Sequence, residues 1–115
     1  MKYNFTIIIP HKNIPNLLQR CLDSIPQRED LQIIIVDDNS DSNIVDFSHF
    51  PGLDRSDCKV IFTKEGKGAG YARNVALREV DCKWVLFADA DDFYSANLNE
   101  FLDKYKDCLL YTSDA

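Results

Sequence analysis

Two stretches, FTIII (Phe5–Ile9) and LQIIIV (Leu31–Val36), are apolar at almost every consecutive position rather than at alternate ones. Successive strand residues point to opposite faces of a sheet, so such strands must be covered on both sides, as in a parallel sheet. Three further runs rich in β-branched and aromatic residues read as strands: Lys59–Thr63 (KVIFT), Lys83–Ala88 (KWVLFA) and Cys108–Thr112 (CLLYT). Between them, apolar residues recur at helical spacing. The first stripe is Leu17, Leu18, Cys21, Leu22 and Ile25, entered through Pro15 after Asn13 or Ile14. The second is Ala72, Val75, Ala76 and Val80; the third is Leu98, Phe101, Leu102 and Tyr105, with Ser95 or Asn97 as its cap. Ile44, Val45, Phe47 and Phe50 fit a short helix, followed by a turn-rich PGLDRSD loop. This alternation predicts one α/β domain with a mostly parallel sheet and right-handed crossovers, and 115 residues are too few for two domains.

The polar clusters fall where such a sheet binds ligands. PHKN (Pro10–Asn13), DDNSD (Asp37–Asp41), TKEGKGAG (Thr63–Gly70) and DADD (Asp89–Asp92) each follow the C-terminal end of a strand. Those ends share one edge of a parallel sheet, and open α/β sheets bind ligands along it, where the strand order reverses. Loops of the opposite edge, such as PQRED, lack this pattern.

DADD packs three carboxylates into four positions. One aspartate could cap the next helix. Three repel one another, and a hard divalent cation, Mg²⁺ or Mn²⁺, relieves that repulsion. A calcium EF-hand does not fit, because Phe93 and Tyr94 stand where the loop needs a ligand and a glycine. In DDNSD, Asp38 is placed to accept hydrogen bonds from a ribose hydroxyl or a base N–H, while Asp37 can instead tie down the loop backbone. GKGAGYARN is neither a P-loop nor GxGxxG. Its glycines permit positive φ and close backbone approach, and Lys64, Lys67 and Arg73 put positive charge where a diphosphate could lie. Arg73 near a helix start opposes the helix dipole, so something negative should stand beside it.

A net charge of −6 excludes a general nucleic-acid binder. No apolar run reaches the roughly 18–20 residues of a membrane span. The four cysteines form no CxxC pair, and Cys21 and Cys82 read as small buried hydrophobes of a reduced, cytosolic chain. His11 and His49 are the only histidines and assemble no nucleophilic triad, although His11 follows the first strand. A receiver-like phosphoacceptor domain would carry its aspartate pair after the first strand; here it follows the second.

IIIPHKN, CLDSI, IIIVDDNSD, GAGYARNVAL and WVLFADADDF, in that order, resemble the N-terminal half of family 2 inverting glycosyltransferases of the GT-A fold. The resemblance runs from about Phe5 to Phe101. It implies a three-layer α/β/α Rossmann-like sandwich of the nucleotide-diphospho-sugar transferase type, incomplete here. It also implies inverting, metal-dependent transfer from a nucleotide-diphospho-sugar, UDP-linked by analogy, to a glycan or lipid-linked acceptor. By the same resemblance Pro10, His11 and Lys12 line the nucleobase, Asp38 contacts uracil or ribose, and Gly68 and Arg73 lie beside the nucleotide. Asp89 contacts ribose or sugar, Asp91 ligates Mn²⁺ or Mg²⁺, and Asp92 supports it. A tyrosine is common in the family where Lys12 stands. The acceptor-binding half and its catalytic base are expected beyond Ala115, which leaves an unfinished sheet edge open to a second copy. The resemblance places the protein in the cytoplasm or at the inner face of the membrane. The alternative is a nucleotide-sugar-binding module without turnover.

Overall fold

A computed structural model of the protein describes residues 3–82, 84–91 and 98–104. Four strands, β1 (Phe5–His11), β2 (Leu31–Asp38), β3 (Cys58–Thr63) and β4 (Trp84–Phe87), form a wholly parallel sheet in the order β3-β2-β1-β4. The chain steps outward from β1 to β3, then crosses to the far side of β1 to lay down β4. The strand order therefore reverses beside β1.

The central strands β1 and β2 are buried along nearly their whole length, as their continuous apolar character requires. Ile7, Ile9, Ile33 and Ile35 face one layer, made of α1 (Pro15–Asp23), the helical residues 98–104 and the loop residues Val45 and Phe50. Ile8, Ile34 and Val36 face α2 (Ala69–Leu77) through Ala72 and Ala76. Full burial of each such isoleucine stabilises by about 2–3 kcal/mol. The alanines carry so little side chain that α2 can lie close to the sheet. The result is the expected α/β/α sandwich.

Several boundaries differ from expectation. β1 and β2 each run two residues further, through His11 and Asp38, because their polar ends are paired in register, His11 opposite Asp37. The short helix foreseen around Ile44–Phe50 is a turn at 42–44 followed by one 3₁₀ turn, Phe47–His49. Leu17 is 37 % exposed and leaves the α1 stripe to Leu18, Cys21, Leu22 and Ile25. Cys82 is half-buried and polar in its contacts: its sulfur lies 3.0 Å from the Thr6 hydroxyl and donates to the Trp84 carbonyl. The fifth strand foreseen at Cys108–Thr112, Lys83, and Ser95 and Asn97 lie outside the described residues.

Arginines tie the ends of elements together. Arg55 donates to the Leu22 and Ile25 carbonyls at the end of α1 and pairs with Asp57. Arg28 joins Asp30, before β2, to Asp103 on the last helix. Gly52 is a tight point under α1. Its φ is +96°, and a Cβ there would sit 2.8 Å from the Cys58 sulfur and 3.0 Å from Ile35 Cδ1. Gly52→Ala is expected to cost about 2–3 kcal/mol through backbone strain and overpacking. Chemical denaturation checks this; an unchanged midpoint would contradict the packing described.

Candidate functional site

At the C-terminal edge of the sheet, Pro10, His11, Lys12, Asp38, Gly68, Ala69 and Ala72 line a cleft of about 120 Å³. It lies between the end of β1, the end of β2 and the start of α2. Pro10, His11, Lys12, Asp38 and Gly68 therefore converge as the sequence indicated. Ala69 and Ala72 were not singled out as lining residues. Their signal was the run of small residues at the start of GAGYARN, which lets a ligand approach the helix backbone.

The two aspartates that end β2 point to opposite faces, by the two-residue period of a strand. Asp38 turns toward α2. Its Oδ1 accepts from the Thr63 hydroxyl (2.7 Å) and the Gly66 amide (2.8 Å), and its Oδ2 from the amides of Lys67 (2.8 Å) and Gly68 (3.0 Å). One buried carboxylate thus folds the whole β3–α2 loop. Gly66 and Gly68 have φ of +65° and +91°, which lets successive amides turn inward to one acceptor. Burial alone would raise the Asp38 carboxyl; the bonds from Thr63, Gly66, Gly68 and Lys67 outweigh it and hold the group below its ordinary value of 3.8. With the folded-state value depressed, the stabilisation is present above the ordinary value and is lost as pH falls through the folded one. Protection factors at Gly66 and Gly68, with the intrinsic pH dependence divided out, are therefore expected to fall as pH drops below the ordinary carboxyl value of 3.8. Rates that track only the intrinsic pH dependence would contradict it.

Asp37 turns to the other face and, as the sequence allowed, ties down backbone. It accepts from the Ser40 amide and hydroxyl and from His11 Nδ1, 2.7 Å away. His11 lines the cleft, but its ring is buried and both nitrogens are engaged, because Nε2 accepts from the Ile14 amide.

Beyond β4, Asp89 and Asp91 are exposed. Arg73, in the second turn of α2, reaches Asp89 Oδ1 at 3.3 Å and lies over the Phe87 ring at 6.0 Å. Asp89 supplies the negative neighbour that Arg73 required. Both side chains are well exposed, so the pair adds little to stability. The Asp91 carbonyl accepts from Arg20 of α1. Asp92 lies outside the described residues. Among the described residues no group of three or more acidic, histidine or cysteine side chains is gathered for a metal. Asp89 and Asp91 nonetheless suit a hard cation, because Mg²⁺ typically takes only one or two protein carboxylates and completes its shell with water and phosphate oxygens. The first turn of α2 leaves its amides without intrahelical acceptors, next to the same cleft.

No helix among the described residues is long and apolar enough to cross a membrane. The model of glycosyl transferase family 2 matches residues 6–109. The chain is 31 % identical over 113 residues to the glycosyltransferase GlyA of Streptococcus pneumoniae, covering 95 % of this chain and 16 % of GlyA. It is 30 % identical over 99 residues to the Escherichia coli β-1,3-glucosyltransferase WfgD, covering 83 % of this chain and 38 % of WfgD. Among solved structures, S. aureus TarS with UDP-GlcNAc superposes with a TM-score of 0.72 at 27 % identity, covering 93 % of this chain and 31 % of that one. The Pyrobaculum calidifontis mannosyltransferase PcManGT, bound to GDP-Man and Mn²⁺, superposes with a TM-score of 0.70 at 25 % identity, covering 84 % and 30 %. The chain thus spans well under half the length of these relatives. A parallel sheet whose strand order reverses beside β1, a cleft at that reversal and a family match along almost the whole length agree: the chain belongs to glycosyltransferase family 2.

Proposed function

We propose that this chain forms the donor-binding half of an inverting glycosyltransferase that uses a nucleotide-diphospho-sugar. The observation that carries this reading is the convergence of Pro10–Lys12, Asp38 and the start of α2 on one cleft, with Arg73 of α2 paired to Asp89, beyond strand β4, at the same sheet edge. The nucleoside occupies the cleft between the β1 and β2 ends, with Lys12 at its exposed rim. Asp38 keeps the Gly66–Gly68 backbone folded against it. Arg73 and the α2 N-terminus present positive charge to the diphosphate. UDP is the favoured nucleotide, by likeness to the UDP-GlcNAc complex of TarS; the GDP-Man complex of PcManGT makes GDP the comparison to test.

Asp89 and Asp91 would hold Mn²⁺ or Mg²⁺, with Asp92 in support. When bound, the ion would neutralise charge developing on the departing diphosphate. The acceptor is a sugar or lipid-linked hydroxyl of the cell envelope, by analogy with the named relatives. Its oxygen bonds to the anomeric carbon as the bond to the diphosphate breaks, and its proton passes to a carboxylate outside residues 1–115. Attack opposite the leaving group inverts the anomeric configuration. We place the reaction on the cytoplasmic side of the membrane. The β4 edge, with Trp84 and Phe87 exposed, is where further chain or a second copy would add to the sheet.

The test is a transfer assay on the whole protein with a panel of UDP- and GDP-sugars, run beside calorimetry with UDP and GDP. Transfer with inverted product is the expected result. Binding without transfer would favour a nucleotide-sugar-binding module, and binding of neither nucleotide would refute the donor reading.

A further inference from the structure

The polar network on the α1 side of the sheet edge touches the cleft through His11, and its side-chain bonds have no role in the scheme above. It begins at His11. Nε2 accepts the Ile14 amide at 3.1 Å, so the ring carries its proton on Nδ1 and donates it to Asp37 Oδ1. Asp37 also accepts the Ser40 hydroxyl, and the Ser40 oxygen in turn accepts the Asn13 amide at 2.9 Å. Asn13 closes the circuit: its side-chain oxygen accepts the Asp41 amide at 2.7 Å. Asn13 has a φ of +61°, a conformation asparagine tolerates better than most residues. Phe50 covers the imidazole edge-on, with ring centroids 5.3 Å apart.

Four backbone amides of two separate loops, at Asn13, Ile14, Ser40 and Asp41, therefore end on side chains of one network. The side chains are His11 and Asp37, paired across β1 and β2, together with Ser40 and Asn13 from the two loops. Neither loop has a regular ladder to define its path. Asp37 shapes the β1–α1 turn from one face of β2, while its neighbour Asp38 shapes the β3–α2 loop from the other. The β1–α1 turn and the β3–α2 loop, which both line the cleft, are thus set by adjacent carboxylates of one strand.

We propose that His11, Asp37, Ser40 and Asn13 are positioning residues that hold the Lys12 side of the cleft in the shape that accepts the nucleotide. This rests on the donor reading. His11 and Asp37 are buried, and the bonds that join the four side chains to both loops mark them as holding those loops, with no change of charge needed to do so.

The experiment uses the whole protein, with amide hydrogen exchange and UDP and GDP affinities measured on the same samples. Ser40→Ala removes the link between the loops, and Asn13→Gly keeps the backbone conformation while losing the bond to Asp41. Each is expected to speed exchange about tenfold at Asn13 or Asp41 respectively, leaving Gly66 and Gly68 unchanged, and to weaken nucleotide binding about tenfold. In the transfer assay the donor KM rises by a similar factor while kcat stays within about threefold. Ser40→Thr, which retains the hydroxyl, is expected to restore exchange and affinity. Faster exchange with unchanged affinity would overturn the positioning role, as would unchanged exchange. If the wild-type protein binds neither nucleotide, the donor reading itself falls, and this inference falls with it; wild-type binding with equally tight variants sinks the inference alone.

Discussion

Replacing Asp91 by alanine is expected to lower sugar transfer by about two to three orders of magnitude, with the fold intact. The physical basis is charge. Asp91 is exposed, so its removal leaves no buried cavity and orphans no side-chain partner among the described residues. Its backbone carbonyl, not its carboxylate, receives the Arg20 bond, and that bond survives the substitution. A carboxylate kept in water beside another acidic residue brings no folding benefit; on the proposed reading it would hold a cation shared with the substrate diphosphate. Loss of several kcal/mol of charge stabilisation in the transition state corresponds to the expected rate loss. Asp89→Ala should act similarly and also release Arg73. Full transfer by Asp91→Ala, measured with saturating Mn²⁺, would remove Asp91 from the reaction.

Asp38→Ala should behave in the opposite way, damaging structure and binding together. Three loop amides and the Thr63 hydroxyl converge on this one carboxylate. Hydrogen bonds to a charged acceptor are worth more than neutral ones, but these loop residues are exposed, and water can replace part of what is lost. We expect a loss of about 2–3 kcal/mol in denaturant unfolding, and nucleotide affinity reduced beyond detection as the β3–α2 loop opens. Asp38→Asn should recover part of the stability, because its oxygen can still accept two of the four bonds, while its amide meets donors with a donor. A stable Asp38→Ala variant with normal UDP affinity would show that the loop is held by something else.

The layered fold was legible because periodicity is local. Consecutive apolar residues in β1 and β2 require two covered faces, and the helical stripes supply the covers. The location of the candidate cleft was legible for the same reason: once the strands are known, the residues following them share an edge. Within DDNSD, the hold of Asp37 on loop backbone was legible, but that Asp38 also holds a loop was not. Asp37 and Asp38 look alike in sequence, and which loop each holds depends on partners 26 residues or more away, His11 and the Gly66–Gly68 amides. Strand alternation places them on opposite faces, but the partners come only from the packing. The stretch 42–57 resisted reading because its order is long-range: Phe47 and Phe50 pack on Phe62 of β3, and Phe50 on His11 of β1. Gly52 likewise shows no local signal, since its constraint is the Cys58 sulfur under α1.

A nucleotide diphosphate is expected to bind at the cleft beside β1, β2 and the start of α2. Titrating the ¹⁵N-labelled whole protein with UDP, and separately with GDP, tests it residue by residue. Saturable shifts at the amides of Lys12, Gly68, Ala69 and Ala72, with Asp89 responding and Gln27 and Ser56 at the opposite sheet edge silent, are the predicted result. Shifts confined to that opposite edge, or no saturable change with either nucleotide, would contradict it.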